Sequence, residues 1–279
     1  MRRGSLVPME DEASSESVPP FSRSPAELAF DPELLAGELA QELALDPLDA
    51  IDTLEPGQGD IAAECDLGLE LLAGSHDQCM QGLRIFCEHR DPRAVPRLLP
   101  LLASTCPILR MSAVYALGRN PDPRAVEPLL ALLQDDANGY VRKAVAWSLG
   151  NYPEAPVLNP LIRALQLDIA AVRLWAAGSL ADAGSTGAAK ADQAAAQLLL
   201  SLRIDSEPVV RSNSAWSLGR LYDHLVPPRQ SELVGVLVDV LLNDNDATVR
   251  DEARVALEQL EDPSVLERLQ TLVDEGLLN

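Results

Sequence analysis

Aromatic side chains are scarce: three Trp, four Tyr and three Phe make up 4% of a 279-residue chain that is 47% hydrophobic. The apolar content is therefore mostly Leu, Ala and Val, a composition that favours helices and disfavours a β-sandwich or barrel. Basic residues are also in short supply, 22 Lys and Arg against 43 Asp and Glu, for a net charge of −21 and a pI near 4.4. Such a surface excludes nucleic acid and anionic membranes as partners on electrostatic grounds. Long hydrophobic runs are missing: a stretch such as Leu98 to Ala103 is broken by Pro100 and falls far short of the roughly 18–20 residues of a membrane span. No leader is expected, because Arg2 and Arg3 are followed only by Gly4–Pro8 before acidic residues begin, too short and broken for the apolar part of a signal peptide. A cytoplasmic protein is expected, with Met9 as an alternative start. Four cysteines, Cys65, Cys79, Cys87 and Cys106, lie in a 42-residue stretch; without a secretory context they are expected as reduced thiols.

The negative charge is unevenly spread, with 17 acidic and three basic residues in positions 1–75. Residues 1–26, rich in Ser, Pro and Glu, have little to bury and are expected to form a disordered tail. Asp31-Pro32, Asp46-Pro47 and Asp60 open helical stretches that make residues 27–76 an acidic, irregular N-terminal cap.

From there the chain repeats itself. ILRMSAVYALG (Ile108–Gly118) returns as YVRKAVAWSLG (Tyr140–Gly150), AVRLWAAGSLA (Ala171–Ala181), VVRSNSAWSLG (Val209–Gly219) and TVRDEARVALE (Thr248–Glu258). The arginines 110, 142, 173, 211 and 250 are 32, 31, 38 and 39 residues apart, the period of helix-pair repeats. The extra residues of the last two intervals are expected as loops, Gly184 to Gln193 and Tyr222 to Gln230, shaping one edge of the array. Second helices lie between the copies: DPRAVEPLLALL (Asp122–Leu133) repeats DPRAVPRLLPLL (Asp91–Leu102), which places a degenerate first repeat at 77–102 with Phe86 and Cys87 in the places of Leu117 and Gly118. Asp followed by Pro reads as an N-cap, and Gly after the repeat Leu as a C-cap. About six helix pairs are expected over 77–279, the last a C-terminal cap.

The pattern Val-Arg-x-x-Ala-x-x-x-Leu-Gly followed by Asp-Pro-Arg-Ala-Val-x-Pro-Leu-Leu resembles HEAT repeats of the phycobilisome lyase type, as in the E/F-class bilin lyases of cyanobacteria, over residues 77–273. The resemblance implies an all-α, right-handed α-solenoid of HEAT-like helix pairs whose second helices line the concave side.

The repeat arginines read as a structural ladder that pairs with neighbouring turns carrying Asp168, Asp246 and similar acids, and the repeat leucines as core. Five residues after each arginine stand Tyr115, Trp147, Gly178, Trp216 and Val255. Repeats of this type usually carry a solvated residue there, so three large aromatics at this register are a concentrated use of a scarce type. Trp175 flanks the glycine gap, and Arg119, Asn151, Asp182 and Arg220 border the stripe. Two readings are open: inter-repeat packing, with Trp wedged among small residues, or an exposed groove for a protein surface or a flat conjugated ligand. For a linear tetrapyrrole the rings would stack on the tryptophans, the propionates would meet Arg119 or Arg220, and Tyr115, Tyr152 and Asp182 are the groups on hand for proton chemistry. The Asn-His-Cys-Gln-Gly-Asn motif of the related lyase-isomerases is absent, so isomerisation is not supported.

Cys79, Cys87 and Cys106 read as buried thiols or as a thiol contact with a carrier protein; they lack metal-site spacing. A di-iron HEAT hydroxylase needs repeated His-Glu pairs, and His76, His89 and His224 supply none. Two functions remain: a non-catalytic scaffold or assembly chaperone holding a client protein in its groove, with no required cofactor, or an E/F-type lyase subunit handling a bilin. The clients that the resemblance implies are a phycobiliprotein subunit or an A-type iron-sulfur carrier, alongside a second HEAT subunit.

Overall fold

The structure, a computed structural model, describes residues 60–278. The expected tail, 1–26, and residues 27–59 of the expected cap lie outside them. Every regular element among the described residues is a helix: α1 (Ile61–Leu71), α2 (His76–Glu88), α3 (Val95–Leu98) continued by a 3-10 turn (Leu99–Ala103), α4 (Pro107–Arg119), α5 (Pro123–Asp135), α6 (Gly139–Leu149), α7 (Leu158–Leu167), α8 (Ala170–Gly184), α9 (Ala188–Ile204), α10 (Pro208–Leu221), α11 (Pro227–Asn243), α12 (Ala247–Gln259) and α13 (Pro263–Asp274). No described helix is long and apolar enough to cross a membrane.

Starts are set locally. Ser75 and Gln78 form a reciprocal capping box, Asp122 accepts from the Arg124 N–H, and Asn138, Asp246 and Asp262 do the same for α6, α12 and α13; each such cap contributes about 1 kcal/mol. Proline opens α4, α5, α10, α11 and α13, where a missing N–H costs nothing. In the first repeat Pro96 and Pro100 break the second helix into four α-helical residues and a 3-10 turn.

The result is an all-α solenoid of two rows. Phe86, Leu117, Leu149, Leu180, Leu218 and Leu257 are fully buried between the rows, each contributing roughly 2–3 kcal/mol of transfer free energy. The arginine-opened helices α4, α6, α8, α10 and α12, with α2 ahead of them, pack on one another far more extensively than the second helices α5, α7, α9 and α11 do. A two-row stack bends toward its tighter row. The expectation for the second helices is thus corrected: the inward face belongs to the arginine-opened row, where small residues at the contacts between successive helices, such as Gly118 and Gly150, permit the closer approach.

Two further expectations change. Most of the added length in the later repeats lies in longer second helices rather than loops, since α9 and α11 have 17 residues against 13 in α5 and 10 in α7. Gly118 and Gly219 lie within helices rather than at left-handed caps. Gly118 is there for close approach: a Cβ on it would overlap the Trp147 ring, and one on Gly150 would meet Ser179 Oγ at 2.8 Å.

The arginine ladder joins successive repeats. Arg110 donates to both Asp136 carboxylate oxygens at 2.8 and 2.9 Å, Arg142 to Asp168 at 2.8 and 2.6 Å, Arg173 to Asp205 at 2.8 and 2.7 Å, and Arg211 to Asp244 at 2.9 and 2.8 Å. Each aspartate is the residue that ends a second helix. Its carbonyl accepts from the next arginine along, so Asp136 holds Arg142, Asp168 holds Arg173, Asp205 holds Arg211 and Asp244 holds Arg250. Every such turn is gripped from both sides, with bidentate geometry on the carboxylate. Asp246 is not a rung; its carboxylate caps α12. The Arg211 hydrogen bonds hold Asp244 below the ordinary carboxylate range. Burial pushes Asp136 up, but the Arg110 hydrogen bonds and the Asn138 N–H outweigh it and leave that carboxyl lowered too.

Candidate functional site

The residues five after each arginine share one face of the tight row, yet they do not share an environment. Tyr115 is 0% exposed, which corrects its expected place on an open stripe. Trp147, from the next helix, covers it with an edge-on contact, ring centroids 5.4 Å apart at 68°, and lies against Gly118. The Arg119 guanidinium stands 5.8 Å from the Trp147 ring centroid, with its Nε buried and without a hydrogen-bond partner. Tyr115, Trp147 and Arg119 thus form a largely buried cluster between α4 and α6, where the aromatic register is packing.

Between α8 and α10 the same register opens. Trp216 is 39% exposed, and Val255 beyond it on α12 41%. Gly178 faces Trp216, and a Cβ there would meet Asn213 Nδ2 at 3.4 Å and the Trp216 ring at 4.0 Å, ordinary contacts that leave room. Packing therefore does not require glycine at 178, unlike 118. Trp175, partly exposed, stands one turn before Gly178 on the same helix, and Asp182 one turn after it. Arg220 donates to Asp182 Oδ1 at 2.6 Å and lays its guanidinium 4.8 Å from the Trp216 ring centroid. Trp175, Gly178, Asp182, Trp216 and Arg220 are thus brought together between α8 and α10; Tyr115, Trp147 and Arg119 form a separate cluster between α4 and α6. The Asp182–Arg220 pair was written in the sequence as opposite charges at one register of adjacent repeats, a signal that the search for aromatics passed over.

Other expected groups lie away from this face. The Tyr152 hydroxyl donates to the Leu117 carbonyl at 2.8 Å, and burial pushes it up to about 12, so it is a stack residue rather than a proton donor to a ligand. Cys79 and Cys87 are buried; the Cys87 thiol approaches the Ser112 carbonyl at 3.7 Å and burial pushes it up to about 12. A thiol contact through these two is corrected on that ground, and Cys106 alone is partly exposed. No three His, Cys, Asp or Glu among the described residues are grouped to hold a metal. His89 pairs with Glu64 at 2.8 Å, and His224 is exposed in a 3-10 turn after α10.

The sequence reading missed a second concavity. Leu99 and Leu102 face Pro128, Ala131 and Leu132 of α5 across an open cleft of about 570 Å³, with Arg110 and Asp136 among its lining. The breaking of the second helix by Pro96 and Pro100 was its only mark in the sequence.

The HEAT-repeat family profile matches residues 80–150 and 126–219. No curated protein sequence matches the chain. Among solved structures, a designed armadillo repeat protein in complex with the peptide (KR)4 is similar at 19% identity, over 71% of this chain and 99% of that one, with a TM-score of 0.52. An engineered protein is similar at 22% identity over 78% and 98% with a TM-score of 0.49. The complex of CpcE and CpcF of phycocyanin lyase from Nostoc sp. PCC7120 is similar at 21% identity over 71% and 99% with a TM-score of 0.33.

Proposed function

The chain belongs to the HEAT-repeat family, and from that premise we propose that it is a non-catalytic cytoplasmic scaffold whose client segment lies along the arginine-opened row, across Trp175, Gly178, Trp216 and Val255. One observation carries the proposal: in a register whose other aromatics, Tyr115 and Trp147, pack on each other between α4 and α6, Trp216 is exposed and faces a glycine that packing does not demand. Indole faces beside a side-chain-free position suit an extended protein segment, because a client residue fits the gap while its neighbours cover the rings. The armadillo-type relative of similar architecture holds a peptide, which supports an elongated occupant. The family resemblance makes a phycobiliprotein subunit a client of choice; an iron-sulfur carrier would have to dock on this face rather than through buried thiols. A second HEAT subunit would share the remaining surface of the row.

Selection from a random peptide library displayed on phage, against the immobilised full chain, tests the proposal. Enriched peptides should lose binding in the Trp175→Ala, Trp216→Ala double variant and keep it when Leu200 and Ile204, exposed on the second row, are changed to Ser. No enrichment, or binding that follows the second row instead, would overturn it. Titration with a free linear tetrapyrrole separates the pigment-handling alternative: saturable quenching of tryptophan fluorescence with an induced pigment band, lost in the same double variant, would put a bilin in the groove. The burial of Tyr115 and Tyr152 weighs against that alternative, because two of the three groups named for proton chemistry cannot reach a ligand there.

A further inference from the structure

We propose that the client segment is basic, and that Arg220 occupies in the unbound protein the place of an arginine or lysine of that segment; this rests on the client-segment reading above. The argument starts from what Arg220 does. Its guanidinium lies 4.8 Å from the Trp216 ring centroid while it donates to Asp182 at 2.6 Å. An aromatic face beside a carboxylate is a cation site by its chemistry, since the ring's negative face and the carboxylate act on the same charge. Here the cation is the chain's own. The Arg220 and Asp182 side chains are 41% and 35% exposed, so their pairing is solvent-screened and an incoming cation has access to both Asp182 and the Trp216 ring. Structural arginines of this protein look different: the ladder guanidiniums are largely buried and bidentate on Asp.

The surroundings favour the same ligand. On α12, next to α10, Asp251 and Glu258 are exposed at the registers that flank Val255. The cations of that helix are otherwise engaged, Arg250 with the Asp244 carbonyl and Arg254 with a partner of its own. The whole chain carries −21, which raises the local concentration of a basic segment and suppresses an acidic one. Gly178 leaves space beside the ring for the aliphatic stem of the incoming side chain. Displacing Arg220 then frees a flexible side chain while the client cation inherits both the indole face and the carboxylate.

Fluorescence anisotropy with the full chain and a labelled octapeptide of alternating Lys and Arg tests this, against the same peptide with norleucine and citrulline in place of Lys and Arg. At about 50 mM salt the basic peptide should bind at least tenfold tighter than its neutral counterpart and weaken as salt rises. Asp182→Asn and Trp216→Ala should each cost tenfold or more. Arg220→Gln should tighten binding about threefold or better, because the internal competitor is gone. Helical content and melting temperature check that each variant is folded, and Trp216→Phe serves where Trp216→Ala is not. Equal binding of the neutral peptide, or an Arg220→Gln variant that binds more weakly, overturns the inference. If phage selection yields groove-dependent peptides without Lys or Arg, the basic partner falls and the scaffold reading stands; if selection yields nothing, both fall.

Discussion

Trp147 and Trp216 occupy the same register of almost the same words, Trp-Ser-Leu-Gly followed by Asn151 or Arg220, yet one is packing and the other is surface. The difference lies in the helix before each. Trp147 meets Tyr115 and drops onto Gly118, eight residues after Arg110. Trp216 meets Gly178, and the position eight after Arg173 is Ala181, a buried residue that carries a methyl where Gly118 has none. A repeat protein therefore sets the exposure of a side chain in the preceding repeat, and a register read along one helix is only half of the information.

The largest expected contrast is in stability. Trp147→Ala should cost about 3 kcal/mol, because a half-buried indole is removed from between helices, lowering the melting temperature by roughly 6–12 °C for a body of this size. Trp216→Ala should cost under about 1 kcal/mol. Thermal melts followed by circular dichroism decide it, and equal losses would erase the distinction between the two regions. Exchange of the glycines sharpens the same contrast. Gly118→Ala should destabilise by about 1–3 kcal/mol through overpacking against Trp147, whereas Gly178→Ala should be neutral or stabilising by up to about 1 kcal/mol from helix propensity while weakening peptide binding. Ala181→Gly should let the Trp216 ring settle inward, seen as weaker quenching by acrylamide when Trp147 and Trp175 are Phe; unchanged quenching would mean that Ala181 does not hold the ring out.

The smallest difference is expected under acid, because both regions rest on the same ladder. Asp136 serves Arg110 on the Trp147 side and Asp244 serves Arg211 on the Trp216 side, and both carboxyls are lowered in the folded state. A lowered folded value means that the stabilisation is complete above the ordinary aspartate value of 3.8 and is lost as pH falls through and below it. Hydrogen exchange at successively lower pH below about 4 should loosen α4–α6 and α10–α12 together; loss on one side alone would show unequal rungs.

Most of the fold was legible because period, leucine register and Asp-Pro starts are local signals, and α5 begins and ends within two residues of where its sequence puts it. The ladder was legible in its arginines but only partly in its acids: Asp244, not Asp246, receives Arg211, 33 residues away, and such pairings depend on how one turn sits over the next. The glycines were misread because close helix approach and a left-handed cap call for the same residue. Of the site, Trp175, Trp216, Arg220 and Asp182 were named from register alone. The burial of Tyr115 was not legible, because the ring that covers it arrives from the following repeat.

The most direct measurement is amide hydrogen exchange of the full chain with and without the tightest peptide from phage selection. Added protection concentrated on α8 and α10, residues 170–184 and 208–221, with α4 unchanged, is the expected result. Protection on the second helices, or at the cleft between Leu99 and Pro128, would contradict the assignment of the binding face to the arginine-opened row.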